Sequence, residues 1–138
     1  MNTMIAPVMA LVAWSLLIWL WMYSQRIPAM LKAGIKPQDA AHPGSLDILP
    51  AGPRQAADNY NHLMEQPTIF YAAALAIAVT GHADGWAVHF AWVYVALRVL
   101  HSLVQVTVNV VNLRFLLFSL ATIVLGVMVV RELVRLWA

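Results

Sequence analysis

The sequence predicts an all-α integral membrane protein: one domain over residues 1–138, built as a four-helix transmembrane bundle. Composition carries the first part of that prediction. Of 138 residues, 62% are hydrophobic and 10% charged, with a mean hydropathy of +0.75. A water-soluble domain carries about a quarter charged residues, so too little polar surface remains to keep this chain in water. Length carries the second part. It is too short for several domains and suits about four spans of about 20 residues each. The third part is the presence of four apolar stretches.

The first stretch, about residues 4–24, is dense in Trp, Leu and Met, with Trp14, Trp19, Trp21 and Tyr23 placed as interface anchors. Nothing from Met1 to Gln25 is charged and no small-residue cleavage site follows, so it reads as a retained helix and not as a signal peptide. Residues 25–54 then change character. Pro28, Pro37, Pro43, Pro50 and Pro53 stand there with three glycines and with Lys32, Lys36, Asp39 and Asp47, which predicts a long exposed loop.

The second helix is expected over about 55–80, polar in its first half (Asp58, Asn59, Asn61, His62, Glu65) and apolar in its second. Pro67 should kink it, as membrane helices tolerate. The segment Gly81-His82-Ala83-Asp84-Gly85 is a tight turn. The third helix is expected over 86–111 and the fourth over 114–136, joined so briefly that they form an antiparallel hairpin. Arg131, Glu132 and Arg135 mark the exit.

Basic residues orient the chain. Arg26, Lys32, Lys36 and Arg54 lie in the first loop with Arg114 on the same side, against Arg131 and Arg135 opposite. The positive-inside rule puts the 25–54 loop in the cytoplasm. The pI near 9.3 implies no nucleic acid partner, because the basic residues are scattered and form no stripe. With no cysteine there is no disulfide, thiolate metal site or cysteine nucleophile.

An ionisable side chain in a spanning helix costs a few kcal/mol and therefore faces protein or water, usually with a partner. Glu65, Arg98 and His101 are such residues. Arg98, His101, Ser102, Gln105, Asn109 and Asn112 recur at helical spacing and fall on one face of the third helix. Asn61 and Glu65 share a face of the second, with Asp58 and His62 in the neighbouring row. Antiparallel helices bring the two sets together, so a Glu65–Arg98 pair is expected, with Arg114 closing the same end. Taken singly, Ser102, Asn109 and Asn112 serve equally well as interhelical hydrogen-bond glue, worth about 0.6–2 kcal/mol each. His62, Glu65 and His101 make no metal site without a fuller ligand set.

These residues carry a resemblance. Asn61-His62-Leu63-Met64-Glu65-Gln66-Pro67 followed by Phe70-Tyr71 resembles the second-helix signature of the MAPEG family, the membrane-associated proteins of eicosanoid and glutathione metabolism. Arg98, His101 and Arg114 match the spacing of its prostaglandin E synthase branch. The resemblance covers nearly the whole chain and is nearest to bacterial members. It implies a homotrimer in the bacterial inner membrane that binds glutathione as co-substrate between subunits.

Carried over by residue, it implies that Arg26, Asn61, His62, Glu65, Arg98, His101 and Gln105 hold glutathione, while Arg114 sits by the sulfur. Asn61 stands four residues before Glu65 where the family has three, so either Asn61 shifts role or His62 takes the place. The family arginine one turn earlier is replaced in Asp58-Asn59-Tyr60. Gln105 stands where the family has a tyrosine, and Phe115 where the prostaglandin branch has a serine, so prostaglandin synthesis is not expected.

Two functions follow, with a third behind them. One is a glutathione-dependent transferase or peroxidase acting on hydrophobic small molecules that reach the site from the lipid. The alternative is a non-catalytic scaffold or accessory membrane subunit that keeps the polar stripe as trimer glue. An ion or proton pathway is the third, and its titratable groups stop at His101.

Overall fold

The computed structural model describes residues 3–41 and 44–138. Pro43 lies outside the described residues. Five α-helices follow in order: α1 (Ile5–Ala33), α2 (Ala51–Glu65), α3 (Pro67–Val79), α4 (Gly85–Val106) and α5 (Val111–Trp137), with a short 3-10 turn at Pro37–Ala40. There is no strand among the described residues.

α2 and α3 together form the kinked second member of the bundle. Pro67 has no N–H to offer the carbonyl of Leu63, and the ladder breaks at Gln66. Thr68 Oγ donates to the freed Glu65 carbonyl at 2.7 Å and mends part of the break. α1, α4 and α5 are each long and apolar enough to cross a bilayer; α3 is the apolar half of the kinked second member.

α1 runs to Ala33, well into the segment expected as loop from residue 25. Charge ends a membrane span but not a helix, and Pro28 removes one backbone bond without stopping the chain. Termination waits for Gly34, left-handed at φ +69°, where Gly34 N–H reaches the Leu31 carbonyl and Ile35 N–H the Met30 carbonyl. That pair of bonds is a Schellman motif.

α4 ends at Val106, not near 111 as the periodicity implied. Asn109 adopts φ +48° and its N–H returns to the Val104 carbonyl at 2.7 Å. Asparagine tolerates this left-handed conformation better than most residues. The hairpin turn therefore begins earlier, and α5 begins at Val111, three residues before the expected start. Asn109 and Asn112 consequently leave the face of α4.

The core lies where α1, α3, α4 and α5 meet: Leu11, Phe70, Ala91, Tyr94 and Met128 are buried there. Phe70 stacks on Tyr94 with ring centroids 4.4 Å apart. Large apolar side chains such as Leu16, Leu17, Leu20, Ile123 and Val130 face outward, as a lipid environment demands. Gln66 ties the kink to both neighbours: it donates to Thr122 Oγ at 2.7 Å and accepts from Tyr94 OH at 3.1 Å.

Candidate functional site

The polar row of α4 keeps four of its six members. Arg98, His101, Ser102 and Gln105 are all buried, at 0–2% exposure. Their register on one helix face sets this, since the opposite face (Leu100, Leu103) is exposed. His62 on α2 meets His101 edge to face at 5.5 Å between ring centroids. Arg114, in the second turn of α5, completes the group. These three line a cavity of about 200 Å³ together with Val111, Phe115 and Phe118.

Arg98 lies beside this group, bonded to the backbone of His62. Its Nη2 donates to the His62 carbonyl at 3.3 Å, and its Nε and Nη1 have no partner. The expected Glu65–Arg98 ion pair is not made among the described residues. Glu65 is 68% exposed, and its Oε2 lies 3.7 Å from His62 Nδ1. The reason is rotation along the helix: Glu65 follows the outward row of α2 with Asn61, while Arg98 faces inward under His62.

Other polar atoms nearby are also buried and unpartnered: both amide atoms of Asn59, His101 Nδ1, Ser102 Oγ, Gln105 Oε1 and Arg114 Nε. A buried polar group without a hydrogen bond costs about 1–3 kcal/mol. So many in one region of the bundle mark a site completed by water, by ligand or by another chain. Arg114 Nη1 donates to Asn109 Oδ1 at 2.7 Å, so the residue that ends α4 also holds the guanidinium at the cavity.

Arg26 and Asn61 are not at this cavity. They line a second one of about 390 Å³ with Asp47, Arg54 and Asp58. The expected set therefore divides. His62, Arg98, His101 and Arg114 cluster, Gln105 is buried one turn along α4 from His101, and Glu65 points outward beside His62.

At the opposite end the structure holds a cluster that the sequence reading passed over. Arg131 grips Asp84 through both arms, Nη1 to Oδ1 at 3.0 Å and Nη2 to Oδ2 at 2.6 Å, and Arg135 adds a third contact at 3.1 Å. Arg131 also lies 4.2 Å over the Trp86 ring. His82 Nδ1 meets the buried Glu132 at 2.8 Å. Hydrogen bonds from Arg131, then the N–H of Ala87, hold the Asp84 carboxyl well below the usual carboxylate range. Two signals pointed here: an aspartate N-cap in a glycine-bracketed turn, and arginines at i and i+4 on the last helix.

A helical bundle with three helices long and apolar enough to cross a membrane, a histidine-arginine cavity at one end and an ion-paired clamp at the other defines an integral, multi-pass membrane protein with a polar interhelical site. A family model described as the MAPEG family matches residues 4–134. The chain belongs to the MAPEG family. No curated protein and no solved structure matches it.

Proposed function

We propose that the chain is a membrane glutathione-dependent transferase or peroxidase for hydrophobic electrophiles, working as a homotrimer with glutathione bound between subunits. The observation that carries this reading is the convergence of His62, His101 and Arg114 on one cavity, with Arg98 bonded to the His62 backbone and without a counter-ion. Glutathione brings two carboxylates, an ammonium and a thiol. A buried guanidinium whose Nε and Nη1 lack partners suits a carboxylate.

Arg114 would sit by the sulfur, where a cation lowers the thiol pKa and raises the thiolate population. The thiolate would form the new bond to the electrophilic carbon or oxygen as the leaving group departs with the electron pair. Glu65, exposed beside His62, suits the ligand ammonium. Gln105 can donate a hydrogen bond to sulfur but not a proton, so thiolate formation falls to Arg114. Rate gain would come from thiolate stabilisation and proximity. The apolar cavity wall of Val111, Phe115 and Phe118 suits substrates arriving from lipid. We place the 25–54 loop in the cytoplasm and the protein in a bacterial inner membrane.

A second reading keeps the site without the chemistry, as a scaffold whose polar atoms pair across the trimer; the buried, unpartnered Gln105 favours it. Substituting Arg114→Leu separates the two. An enzyme loses most of its conjugating activity while remaining trimeric by light scattering. A wild-type protein that turns over no electrophile leaves the scaffold.

A further inference from the structure

We propose that each chain binds a phospholipid with a primary-ammonium headgroup at the loop end, the headgroup between α1, the 44–49 segment and α2, and the acyl chain along the end of α1. The site does not rest on the thiol chemistry above.

The polar cavity of about 390 Å³ has two arginines and two aspartates on its walls: Arg26, Arg54, Asp47 and Asp58. None of the four is ion-paired among the described residues. Two cations and two carboxylates held apart around one space complement a ligand that carries both signs. Arginine takes phosphate bidentately, and carboxylates accept from an ammonium that has N–H donors. A quaternary ammonium has none to give, and a purely anionic headgroup would face two carboxylates without relief.

The cavity shares Arg26 and Leu46 with a second one of about 460 Å³, whose other walls are apolar, Ile27, Met30, Leu31 and Ile35 among them. A polar cavity that shares the Arg26 and Leu46 side chains with an apolar neighbour fits an amphiphile and leaves glutathione half unpartnered. Depth agrees. The 29 residues of α1 extend about 43 Å, beyond the hydrocarbon core of about 30 Å. Its last turns, after the aromatic Trp19, Trp21 and Tyr23, therefore lie among headgroups. There Ile27 is 53% and Leu31 76% exposed.

The test equilibrates delipidated, detergent-solubilised protein with mixed micelles holding equal phosphatidylethanolamine, phosphatidylcholine and phosphatidylglycerol, and counts retained lipid by native mass spectrometry. The expected result is about tenfold preference for phosphatidylethanolamine, the size of one or two charge-assisted hydrogen bonds. The double variant Asp47→Lys/Asp58→Lys should move the preference to phosphatidylglycerol. Should that variant fail to fold, the conservative Asp58→Asn should still lower the preference severalfold. Arg26 is left intact because it also belongs to the expected thiol-ligand set. Equal retention of the three lipids, or a preference that Asp58→Asn leaves untouched, overturns the proposal. So does free phosphoethanolamine competing on equal terms with the lipid, which would remove the apolar groove from the site.

Discussion

Arg98 donates to the backbone carbonyl of His62 at 3.3 Å, and this bond joins the buried guanidinium of α4 to the helix that carries the site's other histidine. The guanidinium is otherwise unpartnered and fully buried. A buried charge without a counter-ion destabilises the fold that holds it. Arg98→Met should therefore raise the melting temperature of the ligand-free protein. If glutathione is the ligand, as proposed, it should stabilise the wild type and this variant should lose that stabilisation. Thermal unfolding with and without ligand checks both halves.

The clamp between α4 and α5 gives a pH dependence of definite sign. Because the folded Asp84 carboxyl is depressed, its contribution is complete above the ordinary value of 3.8. It declines as pH falls through that value and is gone only when the folded carboxyl itself protonates. Asp84→Asn should flatten this acid-side slope and lower the melting temperature near neutrality. Melting curves taken from neutral pH down to acid would show it.

Gln66 couples the kink to α4 and α5 through Tyr94 and Thr122. Gln66→Met leaves the hydroxyl of buried Tyr94 without its acceptor and should cost about 1–3 kcal/mol. Tyr94→Phe added to it removes the stranded hydroxyl, so the double variant should lose less than the sum of the singles. Chemical denaturation of the four proteins in the cycle measures the coupling.

Asn109 has two jobs, a left-handed backbone and a hydrogen bond to Arg114. Asn109→Val should destabilise by about 1–2 kcal/mol because a β-branched residue resists that conformation. Asn109→Gly should keep the turn yet release Arg114, leaving helicity by circular dichroism intact while glutathione affinity falls. Equal loss of stability in both variants would mean that backbone strain is not what the asparagine relieves.

The bundle was legible because lipid-facing residues must be apolar, and length then limits the number of spans. The kink was legible because Pro67 lacks a donor. The polar face of α4 was legible as far as Gln105, where helical spacing holds. It misled at Asn109 and Asn112, because a left-handed asparagine ends the helix through a backbone choice that periodicity does not register. The end of α1 was missed for the opposite reason: Arg26 and Lys32 mark departure from the hydrocarbon, not from the helix. The Glu65–Arg98 pair failed because spacing along two helices does not fix their relative rotation. The Asp84–Arg131 clamp went unread because its partners lie 47 residues apart. Family resemblance singled out eight residues; His62, Arg98, His101 and Arg114 lie together, while Arg26 and Asn61 line the other cavity and Glu65 points outward.

The central claim is that this cluster binds a thiol and holds it as thiolate. Titrating reduced glutathione into the detergent-purified protein by calorimetry, with thiolate absorbance in the ultraviolet followed in parallel, addresses it most directly. The account predicts saturable binding with a thiolate signal that disappears in Arg114→Leu. Absence of binding at millimolar glutathione would contradict it.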